Sequence, residues 1–471
     1  MRRRLAPVVI RRIPHYQEDM STDTCTAPET HDARLESRTV ARVMFRLIPL
    51  IIVLYVFNYL DRVNVSFAKL TMNEDLGFSE TVYGFGASIF FVAYFLFEVP
   101  SNLIMQRVGA RLWLARIMIS WGIISSAMMF VKGPLSFYTL RFLLGAAEAG
   151  FAPGILLYLT YWLPVRHQAR AVAWFLTSTA LAGLLGSPLA GLLLKLDGAS
   201  LAGHPLAGWQ WLFLLEGIPS VLGGFAALLW LTDRPEHASW LRPAEREWLS
   251  GRLALERTQR RSHGHTSLLA GLTDRRVWLL NITYCALMFG FQGINYWLAT
   301  IVKQVTGLDD NFRVGVLTAI PFFAAMVAMV VVGRHSDRTG ERRRHVAVCA
   351  SAGAVGLLAC VMTDSAVVAI ASLSLAAAGI WATLGPFWAL PPVFLSGTAA
   401  AAGIALINSI GNLGGGFLGP NLMGILKDRT QSYKPGLVAD AAALLLAAGL
   451  TLLLRRSHRP TPPTEPASPS A

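Results

Sequence analysis

Apolar residues in this chain gather into long runs instead of the alternating pattern of a half-buried strand. A helix needs about 20 such residues to cross about 30 Å of hydrocarbon. Twelve runs meet that requirement, at about 44–65, 82–102, 112–131, 136–158, 169–193, 209–231, 277–301, 313–333, 345–362, 366–390, 399–424 and 438–454. The pattern predicts an all-α membrane protein with twelve transmembrane helices. Before the first run the chain is polar and irregular, and no apolar core of signal-peptide length follows Arg2–Arg4 or Arg11 and Arg12. Residues 1–40 are therefore expected to form a disordered cytoplasmic tail, with Met20 and Met44 as alternative starts.

The runs fall into two sets of six. Between them lies the one long hydrophilic interior segment, 232–276, with nine arginines and the helix-like stretch Pro243-Ala-Glu-Arg-Glu-Trp-Leu. It is expected to be a cytoplasmic linker joining bundles at 41–231 and 277–455, with 456–471 as a cytoplasmic tail. Internal symmetry supports the division. N102-L-I-M-Q-R-V-G-A-R111 and G333-R-H-S-D-R-T-G-E-R342 match in Arg, Gly and Arg at an offset of 231. G186-S-P-L-A-G191 and G419-P-N-L-M-G424 match proline to proline at an offset of 232. Two separate motifs on nearly one offset point to a duplicated six-helix unit, giving two pseudo-symmetric bundles.

Composition agrees: 54% of residues are hydrophobic and 15% charged, against about 25% charged in a soluble domain. The net charge of +13 is distributed by side. One set of loops holds Arg107, Arg111 and Arg116, then Arg166 and Arg170, then Arg334, Arg338 and Arg342–Arg344, then Arg455, Arg456 and Arg459; the other holds Lys69, Lys132, Lys195, Lys303, Arg313, Lys427, Arg429 and Lys434. Short cytoplasmic loops keep positive charge, so both termini are expected in the cytoplasm. The charge then sets topology, and no nucleic-acid partner is implied. Cys25, Cys285, Cys349 and Cys360 have neither metal spacing nor a disulfide framework. No metal or cofactor is expected. Nothing points to an enzyme, since there is no nucleophile elbow or phosphate-cradling glycine loop.

The chemistry sits in ionisable residues inside the runs. The first ends in N58-Y-L-D-R-V-N-V-S66, placing Asp61 beside Arg62. Charges in hydrocarbon cost about 2.5–3.5 kcal/mol each on insertion scales and persist where they face a bundle interior. Adjacent helical residues point about 100° apart, so the two do not pair in one cavity. The fourth run contributes R141-F-L-L-G-A-A-E-A-G-F-A-P-G154, whose Arg141 and Glu148 share a helix face with about 10.5 Å of rise between them. Either these four charges only lock helices together, or they form a site whose protonation depends on whether an anion occupies an arginine.

Gly333, Asp337, Arg338, Gly340 and Arg342 resemble the loop signature of the major facilitator superfamily. There the glycines make the tight turn and Asp337 and Arg338 hold the cytoplasmic face closed. The first copy keeps Arg107 but has Asn102 and Gln106 in place of the first Gly and the acid, so a gate pair there must use other partners. The first-helix and fourth-helix motifs together resemble the anion:cation symporter family of that superfamily. G385-P-F-W-A-L-P-P-V-F-L-S-G-T-A-A-A-A-G-I-A-L-I-N-S-I-G-N-L-G-G is similar to its tartrate, phthalate and aromatic-acid branch. The resemblance implies Arg62 for the substrate carboxylate, Asp61 and Glu148 for the coupling proton, and Arg141 tuning Glu148. Tyr59 and Tyr94 resemble cavity-lining tyrosines, with aromatic packing as the alternative. Gln292 and Asn295 flank Gly293, where a helix is expected to unwind towards a ligand. Asn408, with Asn412 one turn on, suits a carboxylate or hydroxyl, and Trp388 suits stacking on substrate or interface anchoring. Thr179 stands where sugar-acid transporters carry a longer amide, which disfavours a sugar acid. The glycines of G411–G419 and G183–G186 are expected to be helix-packing surfaces.

The expected activity is uptake of an organic anion with protons by a monomeric carrier in a bacterial inner membrane. The alternatives are an exchanger or exporter of the same fold, to which G-S-P-L-A-G bears a partial likeness, and a non-transporting membrane receptor.

Overall fold

The computed structural model describes residues 31–262, 275–391 and 397–454. Its helices are α1 (His31–Leu76), α2 (Glu80–Val108), α3 (Ala110–Ala127), α4 (Pro134–Glu148), α5 (Phe151–Trp162), α6 (Val165–Leu193), α7 (Gly208–Trp230), α8 (Pro243–Ser262), α9 (Arg275–Thr306), α10 (Asn311–Thr339), α11 (Arg343–Val361), α12 (Ala366–Ala382), α13 (Leu384–Trp388), α14 (Gly397–Thr430) and α15 (Lys434–Leu453). A two-residue antiparallel ribbon, Ser200–Leu201 with His204–Pro205, lies between α6 and α7. Among the described residues, eleven spans are long and apolar enough to cross a membrane. The twelfth run is the 34-residue helix α14.

The packing repeats between the halves. In the first, α1 packs on α6 and α7, α2 on α4, and α3 on α7; in the second, α9 packs on α14 and α15, α10 on α12, and α11 on α15. Across the halves α2 meets α14, α6 meets α10 and α1 meets α9. Glycines make the first two crossings possible. A Cβ on Gly84 of α2 would lie 2.8 Å from the Pro420 carbonyl oxygen of α14, and one on Gly315 of α10 would run into the Ser187 carbonyl of α6. Gly424 packs on Glu80 and Gly191 on Asn311 in the same way. Gly84 and Gly315, like Glu80 and Asn311, are separated by the offset of 231 read from the loop motifs.

Several expectations are corrected. Residues 31–40 are the first turns of α1, because Val40 and Val43 are buried and Glu36 pairs with Arg166 at the start of α6. Residues 1–30, 263–274, 392–396 and 455–471 lie outside the described residues, so the remainder of both tails and part of the linker do too. The fourth run is two helices: α4 stops at Glu148, Gly150 takes a left-handed φ of 88° against Ser101, and α5 begins. The tenth is likewise divided, into α12 and α13. Conversely, α9 does not unwind at Gly293, which instead admits the Asp440 carboxyl of α15 against the helix. Gly333 is helical, and the turn is made by Gly340, with φ 67°. Lys69 is no loop residue: α1 continues to Leu76 and buries it between the halves.

The linker helix α8 is fastened to the first half. Glu245 pairs with Arg42 of α1, Glu256 accepts from the Val165 backbone amide at 3.1 Å, and Trp240 stacks on Trp162 with centroids 5.3 Å apart. Asp233, just after α7, accepts from the Arg111 amide at 2.8 Å and so serves the degraded first copy of the loop motif.

Candidate functional site

Asp61 and Arg62 diverge as their positions on a helix demand. Asp61 is buried and turned into its own half, where its carboxylate accepts from Ser125 Oγ at 2.6 Å, Trp121 Nε1 at 2.9 Å and Ser220 Oγ. Arg62 turns towards α4 and pairs with Glu148, while its guanidinium lies 5.3 Å from the Phe90 ring centroid and 5.5 Å from that of Tyr94. The pair is incompletely satisfied. Arg62 Nε and Glu148 Oε2 are buried with no hydrogen-bond partner among the described residues.

Arg141 makes no pair with Glu148, in keeping with the rise of two turns between them. Fully buried, it donates to the Gly86 and Ala87 carbonyls of α2, each at 3.3 Å, and to Tyr296 Oη of α9 at 3.4 Å. The expected direct tuning of Glu148 is thus replaced by a tie from α4 through α2 to the other half. Tyr59 likewise crosses, donating to Asn295 Oδ1 at 3.3 Å. Asn295 Nδ2 and Gln292 Oε1 are buried without partners among the described residues. Tyr59, Tyr94, Arg62 and Asn295 therefore gather at the seam between α1, α2 and α9, and Gln292 is buried on α9 three residues before Asn295. Trp388 stands apart from this group at the end of α13, edge-on to Tyr284 at 4.9 Å. Asn408 is already occupied: its amide donates to Glu98 Oε1 of α2 at 2.8 Å, and Ser409 donates to Glu98 Oε2 at 2.9 Å.

The seam is bridged at both levels. At the end remote from the described termini, Lys69 Nζ lies 2.7 Å from Glu80 Oε2, 3.1 Å from Tyr433 Oη and 4.3 Å from the Trp297 ring centroid. Asp428 of α14 accepts from the Glu80 and Thr81 amides, capping α2 from the opposite half. Some 27 Å further along α2, Glu98 ties it to α14. The loop residues behave differently. Asp337 pairs with Arg342 at 2.7 Å within its own turn, and Arg338 and Arg107 are exposed. Among the described residues, these three make no bridge between the halves.

Glu98, Glu216, Asp440 and Lys69 were missed in the sequence, although all are buried. The cost of a charge within an apolar run, applied to Phe97-Glu98-Val99-Pro100, Leu215-Glu216-Gly217-Ile218 and Ala439-Asp440-Ala441, singles out the three acids as it does Asp61.

The Major Facilitator Superfamily model matches residues 51–420. A protein of Agrobacterium vitis provisionally assigned to tartrate transport is 50% identical over 423 residues, covering 90% of this chain and 92% of that one. A quinolone resistance transporter of Acinetobacter baumannii is 41% identical over 419 residues, covering 89% and 95%. Among solved structures, a bacterial homologue of the human lysosomal transporter Spinster, inward-facing and unoccupied, superimposes with a TM-score of 0.73 at 16% identity, covering 88% and 96%. The E. coli xylose transporter XylE in a partially occluded inward-open form gives 0.68 at 15% identity, covering 88% and 100%.

Proposed function

The chain belongs to the Major Facilitator Superfamily, a family of membrane transporters and not of enzymes, and from that premise we propose that it is a secondary transporter that imports an organic anion with protons. The carrying observation is the Arg62–Glu148 pair: a guanidinium on the seam between the halves, over two aromatic rings, with its Nε still without a partner among the described residues. A planar guanidinium takes a carboxylate through two parallel hydrogen bonds. An incoming carboxylate competes with Glu148 for Arg62, and Glu148, displaced into apolar surroundings, takes up a proton. Anion and proton then bind together, which is the requirement of symport.

In this reading Arg62, Tyr59, Tyr94, Gln292, Asn295 and Asn408 line the path of the anion, with Trp388 at its margin. Asp61 and Glu148 carry protons, and Arg141 reports the state of α4 to α9 through Tyr296. Asp337, Arg338 and Arg107 meet when the cytoplasmic face closes. Residues 41–231 and 277–455 move as the two bundles, linked by 232–276, with both termini in the cytoplasm of a bacterium. Hydroxy or aromatic carboxylates of the tartrate and phthalate type are the substrate class, supported by the 50% identity to the Agrobacterium relative.

The test is purified protein in liposomes, given tartrate with a pH electrode outside. Tartrate-induced alkalinisation of the outer medium is expected. Export in the opposite sense would favour the drug-efflux reading that the Acinetobacter relative suggests, and obligatory exchange without proton movement would remove symport.

A further inference from the structure

Glu216 of α7 is 5% exposed, and neither of its carboxyl oxygens has a hydrogen-bond partner among the described residues. Its polar neighbours are Asp61 and Asn64 of α1, the Asn64 amide lying close without hydrogen-bond geometry. Ser220, one turn further along the same face of α7, is one of the three donors that saturate Asp61. Among the described residues, the neighbouring elements bring no cation to this place. Arg62 of α1 is turned to Glu148 and Arg116 of α3 is exposed over Trp113. Asp75 is engaged by Trp209 Nε1 at 2.8 Å, at the far end of α7. The helices close tightly here, since a Cβ on Gly217 would lie 2.7 Å from the Gly122 carbonyl oxygen of α3.

The two carboxyls are treated oppositely. Asp61 accepts three hydrogen bonds, which offset part of the cost of burying its charge. Glu216, beside that carboxylate, has the Asn64 amide near it but no donor in hydrogen-bond geometry among the described residues, so its charged form is the more costly of the two. Asn58 and Asn64 flank Asp61 by one turn on either side. They are 0% and 1% exposed, and all four of their amide atoms lack partners among the described residues. This polar seam extends about 9 Å along α1, and it offers donors as well as acceptors. Such a lining suits a carboxyl and water, whereas a metal ion would be served by oxygen acceptors alone.

We propose that Asp61 and Glu216 form one proton-binding pair inside the first bundle, with the transported proton held on Glu216 in this conformation. The two carboxyls exchange this proton in the course of the cycle, so Asp61 carries it in turn; release from this conformation breaks the Glu216 O–H bond, passes the proton to water along the Asn58–Asn64 stretch, and takes the pair from one negative charge to two. Asp61 is the sequence neighbour of Arg62, so that second charge arises next to the anion-binding guanidinium. Glu216 is thereby a coupling residue that never touches the anion. The proposal rests on the reading of proton symport, and its test has one arm that needs no transport.

That arm is infrared difference spectroscopy in nanodiscs at neutral pH. A carboxylic-acid carbonyl band present in the wild type is expected to vanish in Glu216→Gln and to persist in Asp61→Asn. An unchanged band in Glu216→Gln overturns the pair. In liposomes with tartrate as probe and the membrane potential clamped, one pH unit supports about tenfold accumulation per coupled proton. Glu216→Gln is expected to lose that gain while labelled tartrate still exchanges, and Glu216→Asp is expected to recover part of it. Full accumulation by Glu216→Gln, or accumulation that follows a sodium gradient instead, overturns the proposal. A wild type that moves no tartrate, with the band assignment intact, refutes the symport reading and leaves the proton pair standing.

Discussion

Arg62→Lys keeps the positive charge at the seam and removes its geometry, so it separates a built carboxylate site from a mere electrostatic attraction. Arg62 is about one-tenth exposed (11%), contacts Glu148 through one terminal nitrogen, and rests on the faces of Phe90 and Tyr94. A lysine ammonium offers a point charge and no fork. The change therefore costs one charge-assisted hydrogen bond to the incoming carboxylate, about 1.5–3 kcal/mol, or roughly 10- to 150-fold in affinity. The assay is tartrate binding by isothermal calorimetry on purified protein, with thermal unfolding measured alongside to show that the fold persists. Affinity within threefold of wild type would refute the bidentate site and make the four charges a structural network. If affinity and unfolding temperature fall together, the ion pair is holding helices and not cargo.

Three further outcomes are expected. Lys69→Met should bias the halves apart at the end remote from the described termini, by about 1–2 kcal/mol or roughly 5- to 30-fold in population; thiol labelling of Thr300→Cys, on α9 where the Thr300 hydroxyl accepts from Lys69 Nζ at 3.4 Å, should accelerate, and an unchanged rate would show that Asp428 and the aromatic rings seal that end alone. Glu98→Gln weakens the self-occupation of Asn408 and Ser409 by about 1 kcal/mol, so tartrate should bind about fivefold more tightly; weaker binding would make Glu98 part of the site instead of its competitor. Gly150→Ala places a side chain at φ 88° against Ser101 and should cost about 1–2 kcal/mol or more, read as a lower unfolding temperature that Ser101→Ala relieves only in part.

The helices and their duplication were legible because hydrocarbon thickness sets run length and because a repeat leaves matched motifs. The divergence of Asp61 and Arg62 was legible from helical geometry alone. Their partners were not, since Trp121, Ser125 and Ser220 reach Asp61 from α3 and α7 through helix crossings that no local pattern encodes. Helix continuity was misread at two places in opposite directions, in the fourth run taken as one helix and at Gly293. Gly150 and Gly293 look alike in sequence, but Gly150 is followed by Pro153 and pressed by Ser101, whereas Gly293 keeps its hydrogen-bond ladder and yields its missing side chain to Asp440. Glu98 and Glu216 could have been found by the criterion that found Asp61. Lys69 could not, because a helix that outruns its apolar stretch gives no sign of where it ends.

The paired crossings at Gly84 with Pro420 and at Gly315 with Ser187 limit how the carrier can close. Main chain meets main chain at both, and main chain does not yield as side chains do, so the two points act as mechanical end-stops related by the duplication. Two stops placed symmetrically about the seam fix the closing angle irrespective of what lies between the halves. A bulky cargo and a small one would then be enclosed in a chamber of the same dimensions, and size would be judged by whether the stops can be reached at all. A carrier built this way selects by a threshold, excluding molecules that hold the stops apart, and discriminates among the smaller ones only through the polar contacts within.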